Sequence, residues 1–60
     1  MKHFRIDIFR PGVKHETYYF AREEDAREFG ESEKENATAV FLGRLIECIN
    51  KYDMIEEIKN

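Results

Sequence analysis

The sequence predicts an α+β fold: a two-stranded antiparallel β-hairpin packed on a long C-terminal α-helix, with a short acidic helix between them (ββαα). Three observations carry this. Apolar and polar residues alternate over residues 2–9 and return after a Pro-Gly turn. A run of acids follows, ending near Gly30. Residues 37–52, projected at about 100° per residue, gather apolar side chains into an arc of roughly 200°.

In the first element, Phe4, Ile6 and Ile8 alternate with His3, Arg5 and Asp7, the pattern of a half-buried strand. Arg10-Pro11-Gly12-Val13 is a turn signal, because proline presets φ and glycine supplies φ > 0. Residues 14–20, rich in Thr, Tyr and Phe, form the return strand. A three-residue loop, Pro11 to Val13, faces Phe4 with Phe20 and Ile6 with Tyr18. A two-residue loop would set Asp7 against Glu16. The longer loop gathers the large apolar groups on one face. It leaves His3, Arg5, Asp7, Phe9, His15, Thr17 and Tyr19 on the other.

The second element reads as a short helix from Arg22 to Phe29. Acids crowd its first turn, Glu23 and Arg27 stand at i,i+4, and Gly30 suits a helix stop. Ser32 and Glu35 match a capping box that would open the long helix, expected over about 33–51. One continuous kinked helix from 22 to 51 is the competing reading. Ala37, Ala39, Phe41, Leu42, Leu45, Ile46, Cys48, Ile49 and Tyr52 fill the arc, against the ≳100° stripe of an ordinary surface helix. One small sheet covers one side of such a helix, so a second copy or a partner protein is expected on the rest, over Leu42, Ile46, Ile49, Ala39 and Leu45. A break is expected near Tyr52. Met54, Glu56 and Ile58 fit a third strand poorly, and Asp53 with Glu56 suits the cap of a short terminal helix.

The 60 residues make at most a single small domain, 1–60, and a chain of this size gains from association. The 42% apolar content supports a core, and the 38% charged content mixes both signs. A net charge of −3 argues against a general nucleic-acid binder. The lone Cys48 forms no intrachain disulfide and fits a reducing compartment. No apolar run reaches the ~18 residues of a membrane span, and residues 1–20 lack a signal-peptide pattern. The expectation is a soluble cytoplasmic protein with no membrane association.

The candidate constellations are few. His3 and His15 share the outer hairpin face with Asp7, but a metal site needs three or four ligands and Cys48 belongs elsewhere. No catalytic residue, cofactor-binding residue or metal ligand is therefore assigned, and no cofactor is expected. Gly12, Gly30 and Gly43 are isolated and form no phosphate-cradling loop. Residues 1–20 hold four basic and two acidic groups; residues 21–35 hold three basic and seven acidic. On a continuous helix Glu24, Glu28, Glu31 and Glu35 would line an acidic recognition stripe, able to imitate a phosphate row; the plainer reading is a solvated face. Arg5, Arg10, Lys14, Phe9 and Tyr19 put basic and aromatic groups on the hairpin, a pattern that can stack single-stranded nucleic acid, although Asp7 and Glu16 interrupt it.

These readings lead to a non-enzymatic protein–protein interaction module, homodimeric or bound to a host protein. A phage- or prophage-type inhibitor of a host enzyme fits the size and mild acidity. A nucleic-acid-associated regulator using the exposed hairpin face is the alternative.

Overall fold

The computed structural model describes residues 1–12 and 14–60. Strands β1 (Phe4–Phe9) and β2 (His15–Phe20) form the hairpin, and helix α1 (Glu23–Glu33) follows. A 3₁₀ turn at Lys34–Asn36 leads into β3 (Ala39–Ile46); a second, Glu47–Ile49, leads into β4 (Lys51–Lys59). The four strands form one antiparallel sheet in the order β2-β1-β3-β4. The expected ββαα arrangement is thus corrected to ββαββ. The segment read as a long C-terminal helix is a second pair of strands, and residues 22–51 form neither one helix nor two.

The hairpin follows its expected register, with Phe4 opposite Phe20 and Ile6 opposite Tyr18. Gly12 adopts φ +87°, as the turn requires, and the Arg10 amide donates to the Lys14 carbonyl at 2.9 Å. Val13, the last residue of the expected loop, lies outside the described residues.

The failure over residues 37–52 has a physical reason. In β3, Val40 and Leu42 point to the helix and are fully buried, while Phe41 and Leu45 point the other way and are half-buried. A strand apolar on both faces has no period-2 signature, and its residues spread over a wide arc on a helical projection. Gly43 costs a helix about 1 kcal/mol and is better placed in a strand against a close neighbour. Asn50, with φ 53° and ψ 45°, reverses the chain in the left-handed region.

β4 was hidden by its bulges. The β3–β4 register shifts between Val40 and Phe41 and again between Leu42 and Gly43. Met54 therefore pairs with Gly43 and Glu56 with Leu42, on opposite faces, although a regular strand would put them on the same one.

Helix α1 lies across one face. Ala26 and Gly30 are buried against the sheet, and Phe29 packs on Phe20 and Tyr18 at ring-centre distances of 5.3 and 4.8 Å. The helix continues past Gly30, which does not act as a stop, because the missing side chain lets the helix sit close to Ile6, Val40 and Ile58. The capping box is not formed: Ser32 is inside the helix and its hydroxyl donates to the Phe29 carbonyl at 2.8 Å. Glu23, Glu24 and Asp25 occupy the first turn, where they suit the dipole.

The core is Ile6, Ile8, Ala26, Ala37, Val40 and Leu42, bordered by Phe4, Phe20, Phe29 and Ile58. Each fully buried aliphatic side chain contributes about 1.5–3 kcal/mol. The accessible surface of 4204 Å² is close to the roughly 4,100 Å² of a monomer this size. The chain thus shelters Leu42 by itself, and the surplus inferred from a helical arc does not exist in that form. Among the described residues no helix is long and apolar enough to cross a membrane.

Candidate functional site

With one helix on one side, the other side of the sheet is open. Register places its residues in rows. Tyr19, Arg5, Gly43 and Met54 lie across one row. Thr17, Asp7, Phe41 and Glu57 lie across the next. His15, Phe9 and Ala39 lie across the third. An open groove of about 470 Å³ crosses this face, lined by Arg5, Asp7, Phe9, His15, Phe41 and Met54.

Its walls are aromatic. Phe9 stacks on His15 with ring centres 4.3 Å apart and planes 8° apart, and meets Phe41 edge-on at 5.7 Å. Tyr52 leans in from β4 to Tyr19 at 5.5 Å, because Gly43 between them carries no side chain. The Tyr52 hydroxyl donates to the Lys2 carbonyl at 2.6 Å, and its ring supports the Arg5 guanidinium at 5.0 Å.

Asp7 is the hub of the floor. Its Oδ2 accepts from Arg5 Nε at 2.8 Å; its Oδ1 accepts from Thr17 Oγ1 at 2.9 Å and faces His15 Nε2 at 3.0 Å. An ionised carboxylate only accepts, so His15 donates here. The Thr17 hydroxyl donates to Asp7 and stands 3.5 Å from the same His15 Nε2 that faces Asp7. Arg5 gives Nε to Asp7, and no acceptor among the described residues engages its Nη atoms.

The sequence-derived candidates scatter. Leu42 is fully buried in the core. Ala39 and Leu45 are half-buried on the open face. Ile46 and Ile49 sit at and beyond the end of β3, 36% and 57% exposed. Glu24, Glu28, Glu31 and Glu35 are all exposed, the first three on α1 and the last in the 3₁₀ turn. Glu24 pairs with Arg22, and Glu31 with Lys34 at 2.7 Å, which holds the lysine above its ordinary range. His3 and His15 stand at opposite ends of the hairpin. His3 faces Glu47 at 3.3 Å, and Cys48 is exposed in the β3–β4 turn. Among the described residues no group of three or more His, Cys, Asp or Glu is placed to hold a metal ion.

Of the basic and aromatic set, Arg5, Phe9 and Tyr19 are on the open face. Arg10 turns to the helix side, where it donates to Glu16 at 3.0 Å, Glu33 at 2.7 Å and the Asn36 carbonyl at 3.1 Å. These carboxylates raise the already high pKa of its guanidinium. Gly43, Phe41, Tyr52 and Met54 complete the face, and the helical reading of residues 37–52 and the break expected after them conceal it. Their signal was the alternation Ala39, Phe41, Gly43, Leu45.

No protein-family model, characterised protein or solved structure matches this chain.

Proposed function

We propose that the protein is a non-enzymatic interaction module that docks on another protein through the open face of its sheet. The carrying observation is the aromatic groove whose floor is already hydrogen-bonded. Phe9, Phe41 and Met54 offer apolar surface, and the Asp7 carboxylate is matched by Arg5, His15 and Thr17. The Asp7 charge at the centre of such a face can therefore lose its water without being left unpaired, the usual obstacle to a polar interface.

The nucleic-acid reading has weaker support. A strand-binding sheet presents free cations to phosphates. Here Arg5 shares its charge with Asp7, Arg10 is held by two glutamates on the far side, and Glu57 stands across from Phe41.

The test is capture by the tagged chain, from a lysate that also contains the untagged chain. Wild type is expected to retain a protein, its own copy included. Tyr19→Glu and Met54→Glu, two exposed changes on the face, are expected to lose it, and Glu24→Lys on the helix to keep it. Equal retention by all four would refute the reading.

A further inference from the structure

We infer that the partner of the open face is a second copy of this chain, docked about a two-fold axis that crosses β1 between Arg5 and Asp7; this rests on the open face being the docking surface. The argument is one of register. Arg5 and Asp7 are two residues apart on the same face of β1, a central strand. A two-fold axis in the plane of the face, perpendicular to the strands and midway between them, sets each opposite the other in the second copy. Two reciprocal ion pairs result.

The same axis acts on β3. Gly43 pairs with Arg5 and Phe41 with Asp7, so Phe41 of each copy meets the Tyr52 ring that lies over Gly43 of the other. On β4 it sets Met54 against Glu57. An isologous interface needs self-complementarity, and one operation supplies the charge match on β1 and an aromatic contact on β3.

The free hydrogen-bonding groups agree. The Arg5 Nη atoms have no acceptor among the described residues. A carboxylate offers about four acceptor sites; Asp7 uses three, on Arg5, Thr17 and His15, and keeps 15% of its side chain exposed. Each copy thus holds a spare donor and a spare acceptor.

Size sets the strength. Four strands about 4.8 Å apart and six residues of about 3.3 Å make a face of roughly 19 by 20 Å. Two such faces bury on the order of 800 Å², below the 1,200–2,000 Å² of standard stable interfaces. The dimer is therefore a weak, transient one.

Sedimentation equilibrium from about 10 µM to 1 mM, the range in which weak complexes associate, is expected to show mass climbing from one chain toward two. Arg5→Glu and Asp7→Lys, each alone, put like charges across the axis and are expected to stay monomeric. Mixed in equal amounts, they are expected to form a species with one of each in native mass spectrometry. A second readout does not touch the ion pairs. In a Cys48→Ser background, Met54→Cys mixed with Glu57→Cys is expected to cross-link through a short bismaleimide, more than either variant with itself. A wild type of one-chain mass throughout overturns the inference. So does a dimer that neither forms the mixed species nor prefers the mixed cross-link. A monomer that still captures a foreign protein, lost in Tyr19→Glu, would sink the second-copy partner while leaving the open face as the docking surface.

Discussion

A Cβ atom on Gly30 would lie 2.7 Å from Cδ1 of Ile58, with Ile6 Cδ1 at 3.2 Å beyond it. The helix approaches the sheet so closely only because that position is bare. Gly30→Ala gains about 1 kcal/mol of helix propensity, but overpacking costs roughly 1–3 kcal/mol. Ile58 is half-buried and can turn aside; Ile6 is fully buried and cannot. The expected net loss is about 1 kcal/mol, read as a lower urea midpoint. Adding Ile58→Val, which removes the nearest methyl, is expected to return part of it. A more stable Gly30→Ala would mean the helix sits further from the sheet.

Arg10 fastens the hairpin to the helix, and its effect depends on pH. The Arg10 guanidinium, and then the Tyr18 hydroxyl, hold the Glu16 carboxyl below its usual range. A carboxylate depressed in the folded state contributes stability above its unfolded pKa and loses it as pH falls through the folded value. Wild type should therefore lose thermal stability through the acid range, and Arg10→Ala should lose less there, starting from a lower midpoint at pH 7. Tyr18 is shifted upward by the same Glu16, so its contribution is present below the ordinary tyrosine range and fades as pH rises through the folded value. Parallel acid limbs in melting curves of wild type and Arg10→Ala would contradict this.

The turn between β3 and β4 rests on Asn50, whose φ of 53° is left-handed and whose amide donates to the Glu47 carbonyl at 3.2 Å. Such a conformation costs most residues about 1–2 kcal/mol, and asparagine and glycine less. Asn50→Gly is expected to lie within about 0.5 kcal/mol of wild type, and Asn50→Val to lose about 1–2 kcal/mol. Chemical denaturation checks both. Tolerance of valine would argue for a different turn.

Gly43 tests the bulged strand. A Cβ there would stand 3.3 Å from the Asp53 carbonyl oxygen, a backbone atom with little room to yield. Gly43→Ala is expected to cost about 1–2 kcal/mol and to loosen β4 first. Hydrogen exchange should then speed up at Tyr52–Met54 ahead of β1. Uniform acceleration would show that β4 is no weaker than the centre of the sheet.

The two halves of the chain differ in how much they disclose. In β1 and β2, alternation fixes which side faces inward, and the Pro-Gly turn with the pairing of large side chains fixes register. The outer face of His3, Arg5, Asp7, Phe9, His15, Thr17 and Tyr19 is therefore legible in the sequence. Leu42, by contrast, falls on the expected interface only when Phe41 and Gly43 beside it are given helical spacing. In fact Leu42 and Phe41 face opposite sides of one strand. Met54 and Glu56 concealed β4, since the bulge between them reverses the parity that defines a strand. Half the candidate site could be named from the hairpin; the half from β3 and β4 depended on seeing the sheet.

Docking of the open face on a second copy is tested most directly by residue-resolved NMR of the ¹⁵N-labelled chain over a concentration series. Shifts and broadening are expected at Arg5, Asp7, Phe41, Gly43 and Met54 as concentration rises, with Glu23–Glu33 unchanged. Spectra that stay constant up to about 1 mM, or changes confined to Glu24, Glu28, Glu31 and Glu35, would contradict the docking of one sheet on another.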